Sequence, residues 1–271
     1  MIIVMPSTQD QSFHFESNTR NKETIKKDLL AVYRFIFSSI PNISFFVKLY
    51  IIFRFMLISS RVKCSHTMEE ILEISKAFLK IPSTVSGVFV EAGSYKGGST
   101  AKLSLIAKLA KRKLVVFDSF DGLPESNDMY TSRDGLFFRD KKSFRQTKKV
   151  YFFDKGQYAG SLKEVKENIT SYGEIETCEF KKGWFEETLP KFHKNIAGVF
   201  IDVDLKSSTR TCLKYLYPLL QSNGMLFSHD GHLDLATAVY ADRKFWKEQV
   251  DTSRPVVNGM KTNRLLSINK T

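Results

Sequence analysis

The chain is poor in cysteine: Cys64, Cys178 and Cys212 are the only three among 271 residues. The number is odd and no C-x-x-C pair occurs, which argues against a disulfide scaffold or a zinc cluster and points to a reducing compartment. Acidic residues are also scarce, 29 against 41 Lys and Arg, giving a formal charge of +12. The basic residues are scattered along the whole chain, and no RNA-binding signature with interleaved aromatics occurs. The sequence therefore predicts a solvated basic surface and no nucleic-acid partner. There is no G-x-S-x-G elbow, so a hydrolase triad has no support. Internal repeats and long low-complexity tracts are missing. Met1-Ile-Ile-Val-Met5 is apolar but short, with no basic flank or small-residue cleavage site, so it does not read as a secretory signal. The expectation is a cytoplasmic protein, with membrane association left open.

What is abundant is apolar and aromatic. Hydrophobic residues make up 42% and Phe alone occurs 23 times, enough for a large core. Residues 6–24 are polar and read as a loose arm. Pro41 splits residues 25–63 into two helical stretches. The second, 43–60, is almost entirely apolar but carries Lys48 and Arg54. Charges at mid-helix disfavour a membrane span. The stretch is left as a lid over a site, a homodimer arm, or a segment in peripheral contact with a membrane. Thr67 and Glu70 form a capping box that opens a helix ending near Pro82. The division predicted is an arm at 1–66 and one domain at 67–271.

From Gly87 onward strands alternate with helices. Strands are predicted at 87–91, 114–117, 177–180, 197–201 and 225–228, with a terminal antiparallel pair at 254–258 and 263–268. Helices are predicted at 100–111, 161–169, 209–220 and 235–250, and residues 119–160 read as an irregular insertion. This order implies an α/β fold, a mainly parallel seven-stranded sheet with helices on both faces.

Three motifs carry chemistry. The first is Val90-Glu91-Ala92-Gly93-Ser94-Tyr95-Lys96-Gly97-Gly98-Ser99-Thr100, between a strand and a helix. Its glycines let a ligand approach the backbone, and the helix start offers free N–H groups. The spacing is neither G-x-G-x-x-G nor a P-loop. A ligand-free tight turn is the competing reading. The second is Asp118, followed by Ser119, at the end of the next strand, where a carboxylate meets ribose hydroxyls. The third is the pair of strand ends Asp202-Val203-Asp204 and Ser228-His229-Asp230. Asp202, His229 and Asp230 suit a divalent ion or the deprotonation of a substrate hydroxyl, directly or through that ion. Asp204 reads equally well as a ligand or as a helix cap. Trp184, in Gly183-Trp184-Phe185, is a candidate to stack on a purine or a core aromatic. His14, His66 and His193 lie outside these clusters and read as surface or core residues. His232 is a weak candidate for substrate contact.

Together these blocks resemble the macrocin O-methyltransferase family, the TylF/MycF-like enzymes of macrolide tailoring. The matching stretches are Phe89–Ser94 with Gly97–Thr100, then Phe117-Asp-Ser-Phe-Asp-Gly-Leu-Pro124. Lys182-Gly-Trp-Phe-Glu-Glu-Thr-Leu-Pro190 and Ile201–Leu205 with Ser208-Thr209 complete them. The resemblance covers about residues 85–250. It implies a Rossmann-like class I methyltransferase fold with an N-terminal helical extension. It also implies S-adenosyl-L-methionine as donor, Mg2+ or another divalent metal, and a small-molecule or glycoside acceptor. Glu91, Gly93, Ser94, Gly97, Ser99 and Thr100 would face the donor, with Asp118, Ser119, Trp184 and Asp202. Asp202, His229 and Asp230 would carry the metal. The family usually has two adjacent acids where this chain has His229-Asp230, a change that favours softer ions or a metal-free general base. A nicotinamide-dependent oxidoreductase and a non-catalytic, membrane-associated Rossmann-like binding protein are the rival readings.

Overall fold

The computed structural model describes residues 22–128, 130–131, 150–151, 153–260 and 263–271. The arm before residue 22, with His14, and much of the 119–160 insertion lie outside the described residues.

Two helices, α1 (Lys22–Ile36) and α2 (Phe45–Arg61), precede α3 (Met68–Lys80). Then follow β1 (Val88–Ala92), α4 (Gly98–Leu109), β2 (Leu114–Asp118), the short strands β3 (Tyr130–Thr131) and β4 (Val150–Tyr151), α5 (Leu162–Tyr172) and β5 (Cys178–Lys182). The chain continues through α6 (Phe185–Thr188), β6 (Ile196–Ile201), α7 (Lys206–Leu216), β7 (Leu220–Ser228), α8 (Asp234–Ala241), α9 (Arg243–Gln249) and β8 (Leu266–Asn269).

Among the described residues the main sheet has six strands, in the order β5-β2-β1-β6-β7-β8, parallel except for β8 against β7. The seventh strand expected at 254–258 is reduced to one bridge, Asn258 to Ser267. β7 takes the terminal segment as its antiparallel neighbour instead, which leaves 254–258 no full-length partner. The single helix expected at 235–250 is two, because Asp242 leaves helical geometry and its side chain accepts a hydrogen bond from the Phe245 N–H at 3.0 Å.

β1 and β6 are buried almost throughout, as central strands covered on both faces must be. Successive residues face opposite layers. Phe89 joins the cluster containing Phe78, Ile106 and Val165, while Val90 and Ala92 join the one containing Leu213, Tyr240 and Trp246. Helices α1 to α5 thus cover one face, and α7 to α9 the other. α2 belongs to this first layer through Ile51, Ile52, Phe55 and Ile58. Its two charges have structural employment. The buried Lys48 ammonium donates to the carbonyls of Ile36 and Ser38, closing the end of α1. Arg54 donates to the Tyr172 carbonyl at 2.6 Å. Among the described residues no helix is long and apolar enough to cross a membrane.

β1 pairs with β2 on one side and β6 on the other, so the strand order reverses direction there. A crevice opens at the carboxyl ends of strands at such a point.

Candidate active site

Gly93 leaves β1 with φ 87°, and a Cβ on it would lie 1.9 Å from the Asp202 carbonyl oxygen. Only glycine fits so close a crossing of two strand ends. Gly97, at φ 82°, is the cap of α4 and gives it no side-chain hydrogen bond, so the helix N–H groups stay open. The Asp118 carboxylate ties this turn to β2. It accepts from the Ser94 N–H at 2.6 Å, the Ser94 hydroxyl at 3.2 Å and the Phe120 N–H at 2.6 Å. Burial still raises its pKa, against those donors. Ser119 is occupied in its own turn, donating to the Gly122 carbonyl at 2.8 Å.

Glu91 is fully buried, and neither carboxylate oxygen has a partner with good hydrogen-bond geometry. Burial lifts its pKa to about 7, opposed by the nearby hydroxyls of Ser99 and Thr100. Trp184 stands half-buried at the start of α6, and the preceding Gly183 N–H donates to the Asp118 carbonyl at 3.1 Å. The glycine turn, Asp118 and Trp184 therefore share one edge.

Beside them lies a cluster at the ends of β6 and β7. His229 Nδ1 is 3.2 Å from Asp202 Oδ1, and its Nε2 is 3.3 Å from Glu70 Oε2. Burial alone would lower the His229 pKa, but Asp202 and Glu70 outweigh it and raise it to about 10. Burial would raise Asp202, yet His229 and His66 hold it well below the carboxylate range. Burial and the Asp202 charge raise Asp230 to about 7. Burial with Asp230 and Asp202 raises Asp204 further. Asp204 also has left-handed backbone, φ 57°, as do Tyr95 and Phe120 after β1 and β2. Strained residues gathered at one sheet edge mark a functional site.

Donor atoms fall into two groups, each within 4.8 Å: His66, Asp202 and His229, and Asp202, Asp204 and Asp230. Asp202 is common to both. The set Asp202, His229 and Asp230 meets in one neighbourhood, with His229 and Asp230 on opposite sides of Asp202's two groups. Two residues escaped the sequence reading. His66, read as a surface or core residue, is buried, and its Nε2 lies 3.2 Å from Asp202 Oδ2. Glu70, read as a helix cap, does cap α3 and also faces His229. Their signal was the block Cys64-Ser-His-Thr-Met-Glu-Glu70, whose polar residues sit between two apolar helices. His232 is buried near His229, with a ring–ring distance of 6.2 Å, and burial lowers its pKa to about 3. His193 is exposed, as expected.

The mostly parallel sheet with helices on both faces is a class I methyltransferase fold. The O-methyltransferase NovP superposes with a TM-score of 0.58 at 22% identity, over 75% of this chain and 80% of that one. CalS11, a calicheamicin methyltransferase, superposes with a TM-score of 0.52 at 16% identity, over 98% and 99%. The family model of macrocin O-methyltransferase (TylF) matches residues 64–256, and the chain belongs to that family. Among curated relatives, 8-demethyl-8-(2,3-dimethoxy-alpha-L-rhamnosyl)-tetracenomycin-C 4'-O-methyltransferase of Streptomyces olivaceus is 28% identical over 155 residues. Demethyldecarbamoylnovobiocin O-methyltransferase of Streptomyces niveus is 30% identical over 155 residues. Each match spans 55% of this chain and 55% of the relative, about half of either length.

Proposed function

We propose that this chain transfers a methyl group from S-adenosyl-L-methionine to a hydroxyl oxygen of a sugar or glycoside. The observation that carries the reading is the joint between Asp118 and the glycine turn, placed beside the carboxylates of Asp202, Asp204 and Asp230. The curated relatives support it, since both are named O-methyltransferases and one name specifies a rhamnosyl-tetracenomycin.

The residues fit the donor. Glu91 is an orphaned buried carboxylate suited to a cationic group, Gly93 leaves its backbone open, and α4 begins without a side-chain cap. Glu91, Gly93, Ser94, Gly97, Ser99 and Thr100 would hold the amino-acid end, Asp118 with Ser119 the ribose, Trp184 the base, and Asp202 the side nearest the acceptor. The donor supplies a methyl on a sulfonium, already an activated leaving group. The chain's task is alignment and removal of the acceptor proton. Without a metal, His229 is held protonated between two carboxylates and is poorly suited to take that proton. A carboxylate of the cluster would do so only when ionised, and burial holds Asp204 and Asp230 toward the protonated form. A divalent ion, Mg2+ or another, held by Asp202 together with His229 or with Asp230, would acidify a bound hydroxyl.

Helices α1 and α2, within the N-terminal arm, present an apolar outward surface suited to lipid. Phe46 is 77% exposed, Phe37 68%, Leu29 66% and Phe53 64%, all on α1, α2 and their junction. Exposed Lys22, Lys26, Lys27 and Arg34 on α1, with Arg61 and Lys63, rim the apolar stripe. That combination supports peripheral contact with an anionic bilayer over a homodimer, in which two basic rims would meet.

Titration of the metal-stripped full chain with S-adenosylhomocysteine tests the donor reading. Micromolar binding is expected, weakened at least about tenfold, roughly 1.4 kcal/mol, in Asp118→Ala. Absence of binding would overturn it.

A further inference from the structure

We infer that His66, Asp202 and His229 form a three-ligand site for a borderline transition-metal ion such as Zn2+, Mn2+ or Fe2+, in preference to Mg2+. The inference deepens the metal-assisted reading above by naming the donors and the class of ion, and it brings in a residue from the segment between α2 and α3.

The geometry carries it. Both imidazoles are buried, each side chain only 2% exposed. His229 Nδ1 and His66 Nε2 each stand 3.2 Å from a different oxygen of Asp202. Without metal the His229–Asp202 contact, at 3.2 Å, is a hydrogen bond. Ligands about 2.0–2.1 Å from a tetrahedral ion also lie roughly 3.3 Å from one another. His66 Nε2, despite its proximity to Asp202, has no properly aligned hydrogen bond, and the Cys64 thiol interacts with the same imidazole. The two rings tilt toward each other with centroids 4.7 Å apart.

The surroundings match what a ligating histidine needs. The second nitrogen of such a ring usually faces a carboxylate or another fixed acceptor, which sets the tautomer. His229 Nε2 faces Glu70 Oε2 at 3.3 Å. That oxygen is itself fixed by the Thr67 N–H at 2.8 Å and the Thr67 hydroxyl at 2.9 Å. His66 is held in place by its chain neighbours. A Cβ on Gly98 would lie 2.7 Å from Cys64 Cβ, so the segment is pressed against the start of α4. Ser65 Oγ donates to Asp202 Oδ2 at 3.2 Å. Two imidazoles and one carboxylate select borderline ions. Mg2+ prefers an all-oxygen octahedron.

The test uses the full-length, metal-stripped protein, with Co2+ as optical probe and Zn2+ and Mg2+ as calorimetric ligands. One Co2+ per chain, with visible bands of a nitrogen-containing site, is expected, and Zn2+ should bind at least about 100-fold more tightly than Mg2+. His66→Ala should lose at least about 10-fold in Zn2+ affinity, within the scale of ligand-shell losses, while Mg2+ affinity is unchanged. His229→Asp should move the preference toward Mg2+. Equal affinity for Zn2+ and Mg2+, or Zn2+ binding indifferent to His66→Ala, would overturn the inference, as would no binding of Co2+ or Zn2+. S-adenosylhomocysteine binding, measured on every variant, reports folding and the donor site separately. Intact product binding without metal binding would sink this inference alone, and the reverse would sink the donor reading alone.

Discussion

Glu91 shows how one side chain can set a pH dependence for the whole chain. Burial, opposed by Ser99 and Thr100, raises its folded pKa to about 7 from an ordinary 4.5. Between those values the folded chain keeps a proton that the unfolded chain has released. Stability from this group is therefore present below about 4.5, falls as pH rises toward about 7, and then levels off. Glu91→Gln has no such proton to lose. Urea denaturation of the ligand-free protein at pH 5 and pH 8 should show the variant gaining on the parent with rising pH, by roughly 3 kcal/mol at most. An unchanged difference would mean that the carboxyl ionises normally. At this scale the sequence was informative where spacing fixes position. Asp118, Asp202, His229 and Asp230 all end strands, and strand ends converge. The approach of His66 and Glu70 to Asp202 and His229 was illegible because it depends on how a helical arm folds back over the sheet, which no local pattern encodes.

Elements were legible in proportion to their burial. β1, β2 and β6 are short apolar runs buried almost throughout, and they appear where alternation with helices placed them, as do β7 and the partly buried edge strand β5. Failures came at the C-terminal end, where 254–258 makes a single bridge and Asp242 divides a helix. Edge pairing is decided by which neighbour is free, and a capping side chain can outbid a continuous helical pattern. The capping box of α3 was plain in the sequence, since Thr67 and Glu70 have the required spacing. Thr67→Ala should cost about 1 kcal/mol, read as a lower urea midpoint with unchanged slope. A neutral result would mean that tertiary packing alone holds the start of α3.

For the whole molecule, the open question in the sequence was the apolar stretch at 43–60. Its two charges looked like obstacles to a membrane span, and the fold uses both to fasten helix α1 and the end of α5. One side of α2 then packs into the core while the other faces outward. If that outward face meets lipid, the protein should co-sediment with vesicles containing phosphatidylserine and not with purely zwitterionic ones. Phe46→Ser with Phe53→Ser should abolish the effect while leaving S-adenosylhomocysteine binding intact. A concentration-dependent dimer with no vesicle binding would assign the face to a second copy instead.

The contact of Ser65 with Asp202 bridges 137 positions of sequence. Every strand of the parallel sheet from β1 to β6 lies within that loop. Contacts of such long range form only after the intervening chain has condensed, because closing the loop costs entropy before the contact returns anything. The crevice carries the same cost, since β1 must pair with β6 across a comparable stretch of chain. The cluster is thus a long-range joint that ties the segment before α3 to the end of β6.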